Sequence, residues 1–383
     1  MKPNNANIYF SGLNGLRFFA ALAVVITHIE LIKGQMYFTN LWDTNKLIFE
    51  LGGLGVVFFF VLSGFLITYL LLEEKSVSGR VSVKKFYVRR ILRIWPLYYL
   101  IIVIGFFVLP HLPFIDIPFL TRHLDSGFWN NFLLYILLLP NLAFAFFGAV
   151  PHIGQTWSIG VEEQFYILWP WLVKYSKNVL RTLVVFMILF IGMKVIVLFL
   201  IRSFPGNEAL AVVKPFLAMT KMESMAVGGI GAYLLFHKMY IQKLYNNFIL
   251  IGAIAFCVML VYFTPAIIQD GIHLVYSTLF LIIIINVSSN PNSFLKLENR
   301  FLKTLGNISY GIYMYHMMVI AVVIGTLKKM EFKVDNSILS QLIVYSTCIV
   351  LTVFLSWISY NFFEKIFLKL KIRHTVVKSG SFE

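Results

Sequence analysis

The sequence predicts an all-α polytopic membrane protein: a bundle of about ten transmembrane helices with a re-entrant or interfacial segment near 128–148. Three observations carry this. Of the 383 residues, 59% are hydrophobic and only 13% charged, a balance that excludes an ordinary soluble domain. Several apolar runs exceed the roughly 18 residues that mark a bilayer span. Basic loops alternate along the chain with loops close to neutral, as expected of helices that cross a membrane back and forth.

The alternation also sets the expected orientation. Residues 73–93 hold seven Lys/Arg against two Glu, and Lys365–Glu383 holds five against one. Shorter basic loops occur at 174–181, 237–243 and 288–303, whereas 33–46, 110–127, 202–214, 265–271 and 328–336 are each within one charge of neutral. Basic loops stay in the cytoplasm. Both termini are therefore expected on the cytoplasmic side, and most of the net charge of +15 is a topology signal rather than a sign of nucleic-acid binding.

Spans are predicted at 13–32, 48–72, 91–109, 155–173, 180–201, 216–236, 247–264, 271–287, 305–327 and 339–363. Counting 128–148 as a further span would put a basic side outside. That stretch is assigned to the outer face, broken at Pro140-Asn141, where irregular backbone is tolerated if protein covers it. One membrane domain is expected over 1–365 and a basic cytoplasmic tail over 366–383. The first apolar run is longer than a signal-peptide core and lacks a convincing small-residue cleavage site, so it is read as retained. No internal repeat stands out, which weakens the case for an inverted-repeat transporter. Cys257 and Cys348 fall in apolar spans without ligand-like neighbours, implying neither a disulfide framework nor a zinc or other metal site.

The first span, LNGLRFFAALAVVITHIELI, carries Arg17 and His28. Eleven residues of α-helix advance about 1100°, roughly 20° past three whole turns, so both lie on one face about 16 Å apart along the axis. Ionisable groups in a span are costly and usually face a bundle interior or a cavity. The bland alternative has Arg17 snorkelling to headgroups and His28 near the far interface. In the second span, Gly52, Gly53, Gly55, Ser63 and Gly64 are read as close-packing residues. Arg89, Arg90 and Arg93 open the third span and suit either anionic-lipid contact or a phosphate clamp.

In the fourth span, Ser158, Glu162 and Tyr166 follow an i, i+4, i+8 spacing on one face, with Glu163 to the side. Glu162 is expected at about the depth of His28, where a His–Glu pair can orient and activate an imidazole as general base. A buried ion-pair network, perhaps through Arg17 or Lys194, is the structural alternative. Lys221 and Glu223 in the sixth span are too closely spaced to face each other and can pair with another helix. His316, with Asn307, Ser309, Tyr310 and Tyr313, belongs to the ninth span and reads most simply as a helix–helix hydrogen-bonder. Glu364 beside Lys365 reads as an interfacial anchor.

Together, GLNGLRFFAALAVVITH, FFFVLSGFLIT, RRILRIWPLYY, TWSIGVEEQFYILWPWL, GNISYGIYMYH and SYNFFEK resemble, in order across nearly the whole chain, the membrane acyltransferase family 3 that O-acylates glycans and related small acceptors. The resemblance implies a catalytic histidine at His28, its paired arginine at Arg17 and donor binding at Arg89, Arg90 and Arg93. Lys221 stands where an arginine is commoner in the family, with Glu223 as the acid. It further implies acyl-CoA, most often acetyl-CoA, as donor substrate with no permanently bound cofactor, and a cell-envelope or exported glycan or lipid-linked sugar as acceptor. In that reading the donor's phosphates meet Arg89, Arg90 and Arg93, its arm runs beside Arg17 past Ala20 and Ala21, and His28, oriented by Glu162 or Glu163, deprotonates the acceptor hydroxyl, with Ser158, Tyr166, Glu223 and His316 as supporting polar groups. Rival readings are a transporter or flippase of an envelope precursor, an acyltransferase with a cytoplasmic small-molecule acceptor, and a non-catalytic scaffold.

Overall fold

An uninterrupted helix, α1 (Leu13–Gln35), contains both Arg17 and His28, so the helical period puts them on one face of a single rigid element. The computed structural model describes residues 8–264, 269–332, 334–335, 337–375 and 377; most of the neutral loop at 265–271 and the tail residues 378–383 lie outside the described residues. After α1 come α2 (Lys46–Ser78), α3 (Val83–Phe107), α4 (Pro118–Ser126), α5 (Phe128–Ile136), α6 (Pro140–Phe147), α7 (Trp157–Tyr175) and α8 (Val179–Ser203). Then follow α9 (Glu208–Met219), α10 (Met222–Phe236), α11 (Asn247–Phe263), α12 (Gln269–Ser289), α13 (Arg300–Asn307), α14 (Ser309–Lys329), α15 (Ile338–Ser359) and α16 (Lys365–Ile372).

Local chemistry sets many of the boundaries. Asn45, Asn178, Asn207 and Asn299 sit just before α2, α8, α9 and α13, and each side chain accepts from a backbone N–H of the first turn, satisfying a donor that the helix cannot. Gly79 ends α2 at φ 71°, a left-handed conformation that suits glycine.

Among the described residues, seven helices are long and apolar enough to cross a membrane: α1, α2, α3 with its extension to His111, α8, α12 from Gly271, α14, and α15 continued to Ile372. Three expected spans are not among them. α7 has 19 residues but carries Glu162 and Glu163, and α11 has 17 residues. The expected helix over 216–236 is divided: α9 stops at Met219 and the 15-residue α10 begins at Met222. The Thr220 backbone N–H and hydroxyl both donate to the Phe216 carbonyl, at 3.0 and 2.7 Å, and close the last turn of α9. Residues 128–147 form two short helices of nine and eight residues. The break falls just before Pro140, with Leu138 at φ 61° and Pro140 starting α6, where its missing N–H costs nothing.

The tightest helix contact joins α2 and α10. A Cβ on Gly64 would lie 1.9 Å from the Met225 carbonyl oxygen, and one on Gly228 would lie 1.9 Å from that of Val61. The two glycines thus let the two backbones touch. Gly55 similarly faces the Ala20 carbonyl and Gly52 faces Thr27, both on α1, whereas Gly53 has open space. Ser63 is a hydrogen-bonding residue instead, with its hydroxyl 3.2 Å from that of Tyr166. Ala20 and Ala21 are buried in the packed core.

The basic segments meet at one end of the bundle. Lys75 donates to the carbonyls of Val173 and Ser176 at 3.0 Å each, and Arg89 donates to the His374 carbonyl at 3.0 Å. At the other end Lys46 reaches the Thr264 carbonyl at 2.9 Å. Near that end a charged network passed over by the sequence reading ties α1 to α15. Glu30 and Lys33 are fully buried and paired at 2.8 Å, and the same carboxylate accepts from the Leu41 amide at 2.5 Å and the Tyr345 hydroxyl at 2.7 Å.

Candidate active site

A seam of polar side chains runs down the interior from His28 to the basic end. At its head two imidazoles meet: His28 on α1 and His316 on α14, their rings 4.9 Å apart between centroids and His316 Nε2 lying 3.1 Å from His28 Nδ1. Two backbone carbonyls decide the tautomers. His316 Nδ1 lies 2.7 Å from the Tyr313 oxygen, and His28 Nδ1 lies 2.9 Å from the Val24 oxygen. A carbonyl only accepts, so each Nδ1 carries the proton. His316 Nε2 is then an acceptor, sharing the His28 Nδ1–H with Val24. His28 Nε2 is left with its lone pair, and among the described residues it has no hydrogen-bond partner. That is the arrangement a general base needs.

The partner expected for His28 was a glutamate; the structure supplies His316. Glu162 instead accepts a short hydrogen bond from Tyr166 one turn along α7, and Ser63 joins Tyr166 from α2. Glu163 accepts from Trp95 Nε1 at 3.0 Å, while its other oxygen is buried without a partner. Ser158 connects to the histidines through α14: its hydroxyl is 2.6 Å from that of Tyr313, whose carbonyl holds His316. Ser158, Glu162 and Tyr166 therefore follow one another down the seam, as their i, i+4, i+8 spacing predicts.

At the foot of the seam lies a group of cations. The Arg90 guanidinium stacks over the rings of Tyr166 and Phe86, 5.3 and 5.5 Å from their centroids. Arg17 and Arg93 lie in the same electrostatic field as Arg90, balanced in part by Glu162. Arg17 donates to Asn14 at 3.2 Å; Arg93 forms no hydrogen bond or ion pair among the described residues. Arg89 is different, because a 3.0 Å ion pair to the buried Glu74 already answers its charge. Glu223 does not join the seam: it pairs with Lys194 and His273, each at 2.5 Å.

Two further members differ from the sequence reading: Glu364, expected as an interfacial anchor, and Lys371, which it passed over. Tyr360–Glu364 is a π-helical turn, a widening often found at functional sites. It buries Glu364, whose carboxylate is 3.1 Å from the Ser359 hydroxyl and close to Gly311 on α14, so Glu364 is no interfacial anchor. Lys371 on α16 shares the field of Arg17, Arg89, Arg90 and Arg93, because α16 folds back along α3. The signal for Glu364 was the SYNFFEK run; nothing near Lys371 in the sequence distinguishes it from other basic residues.

Helices α1, α2, α3, α7 and α14 each supply side chains to one buried polar seam with an imidazole at one end and guanidiniums at the other, in a helical bundle of the membrane-protein class. The chain belongs to the family described as acyltransferase domain, which it matches over residues 10–361. It is 27% identical over 379 residues to O-acetyltransferase OatA of Staphylococcus aureus (strain NCTC 8325 / PS 47), covering 93% of this chain and 57% of the relative. It is 30% identical over 386 residues to SACOL0978 of S. aureus (strain COL), provisionally named an O-acetyltransferase, covering 95% of this chain and 58% of that one. The chain thus spans little more than half the length of these curated relatives. No solved structure matches it.

Proposed function

We propose that the protein is an integral-membrane O-acyltransferase that moves an acetyl group from cytoplasmic acetyl-CoA to a hydroxyl of a cell-envelope or exported glycan, or of a lipid-linked sugar. One observation carries the reading: His28 Nε2 is left open as a base at one end of a buried seam whose other end gathers the guanidiniums of Arg17, Arg90 and Arg93, balanced only in part by Glu162. The O-acetyltransferase names of the relatives agree with it. The basic end is assigned to the cytoplasm of a bacterial inner membrane, with both termini there and about ten crossings. The short α7, α10 and α11 complete crossings within the bundle, and 128–148 is re-entrant or interfacial on the outer side.

The transfer is direct. His28 Nε2 takes the proton of the acceptor hydroxyl as its oxygen attacks the thioester carbonyl; the C–O bond forms, the C–S bond breaks, and the proton passes from His28 to the departing sulfur. As His28 becomes cationic, His316 Nε2 accepts from its Nδ1–H and steadies the charge. Glu162, held by Tyr166 and near Arg90 and Arg93, sets the position of the arginines rather than that of the base. No cofactor is permanently bound; the donor is a substrate.

The test is transfer of labelled acetyl from acetyl-CoA to extracted envelope glycans in membranes containing the protein. Base-labile label on carbohydrate supports the reading. Neither transfer nor acetyl-CoA hydrolysis would sink it and bring forward transport of an envelope precursor. His316→Leu is expected to lower turnover roughly 10- to 100-fold with little change in KM, and His316→Gln, which keeps an acceptor near His28, to recover part of it. Arg93→Ala is expected to raise the KM for acetyl-CoA about 10- to 100-fold with kcat little changed, the worth of one charge-assisted hydrogen bond. An unchanged KM removes Arg93 from the donor site.

A further inference from the structure

Away from the seam, a cavity of about 160 Å³ opens between α8, α9, α10 and α12. Ile191, Val195 and Leu198 of α8 and Leu217 of α9 make its wall. Val195 and Leu198 are 59% and 39% exposed, and the most apolar stretch of α8 is not buried in the bundle. The cavity is therefore entered from the bilayer. Its polar end is Glu223, fully buried, with Lys194 and His273 both on Oε1 at 2.5 Å. Glu223 Oε2 is buried and has no hydrogen-bond partner among the described residues. A buried acceptor left empty is unfavourable until a donor reaches it.

We infer that this cavity binds a membrane lipid whose headgroup presents a hydroxyl to Glu223 Oε2, with an acyl chain against the α8 wall. Chemistry narrows the headgroup. The lysine at position 194 sits against the same carboxylate and Lys214 lines the cavity, so a cationic ammonium is repelled while a lipid phosphate is attracted. A hydroxyl donates without adding positive charge. A quaternary ammonium headgroup has no donor at all.

The probes are phosphatidylglycerol, phosphatidylethanolamine and phosphatidylcholine with identical acyl chains, offered to the purified full-length chain in detergent. Lipid retained on the folded protein is read by native mass spectrometry. Phosphatidylglycerol should be retained at least about tenfold over phosphatidylcholine, the discrimination expected from one hydrogen bond to a charged group. Glu223→Gln should erase the preference. Because that change also disturbs Lys194 and His273, Ala218→Trp, which fills the cavity from α9 and leaves Glu223 unsubstituted, should erase it too. Equal retention of phosphatidylcholine or phosphatidylethanolamine, or undiminished phosphatidylglycerol retention in Ala218→Trp, overturns the assignment and leaves a cavity holding water or adventitious detergent only. His28 takes no part in the readout, so this result stands or falls separately from acyl transfer.

Discussion

His28→Ala is expected to lower acetyl transfer roughly 10²- to 10⁴-fold, the range that general-base catalysis contributes, while acetyl-CoA still binds. The reason is geometric. The Val24 and Tyr313 carbonyls fix the protons of the two rings on Nδ1, so His28 Nε2 is the nitrogen of the pair that has no partner among the described residues. His316 Nε2 is turned into His28 and cannot reach a substrate. The measurement is labelled-acetyl transfer at saturating donor, matched for protein amount, together with donor binding. A variant that transfers at the wild-type rate would make His28 structural and dissolve the site. A variant that loses donor binding along with turnover would mean that the alanine has disturbed the seam rather than removed its base.

Gly228→Leu is expected to abolish the folded bundle. Overpacking an ordinary core site costs about 1–3 kcal/mol because side chains can move aside. Here the obstacle is backbone: the Cβ would meet the Val61 carbonyl oxygen at 1.9 Å and the Phe65 amide nitrogen at 2.8 Å. No rotamer relieves that, and α2 and α10 must separate. The reciprocal contact at Gly64 implies the same outcome for Gly64→Leu. Gly53→Ala is the control, since nothing lies within 4 Å of its Cβ; stability should hold or rise by about 0.5–1 kcal/mol as the helix loses a glycine. Folded yield by size exclusion and Tm in detergent separate these outcomes. A monodisperse Gly228→Leu with wild-type Tm would refute the packing argument.

The elements most legible in the sequence were those whose signal is local. Long apolar runs gave α1, α8, α12, α14 and α15 within a few residues, and α2 and α3 with longer basic ends than expected, because the cost of exposing polar backbone to lipid makes a continuous apolar helix necessary. The 3.6-residue period gave the common face of Arg17 and His28 and that of Ser158, Glu162 and Tyr166. Where the expectation differed, a local feature interrupted the run: the break between α9 and α10 beside Lys221, and the π-helical turn at Tyr360–Glu364 that carries Glu364 inward.

Partners are another matter. His28 and His316 are 288 residues apart, Glu223 and His273 are 50 apart, and Lys371 meets the arginines of α1 and α3 from the far end of the chain. Hydropathy records whether a side chain prefers lipid or water, and periodicity records which face it shares with its neighbours on one helix. Neither records how helices are rotated against each other, and a rotation of one residue, about 100°, exchanges one partner for another. By itself, the sequence determined that this chain is a helical membrane protein of the acyltransferase type, with costly ionisable groups on shared faces. Only the tertiary structure decided that His28 is oriented by a second histidine rather than by a glutamate, that Glu223 belongs to a separate pocket, and that the glycines of α2 and α10 draw two backbones into contact.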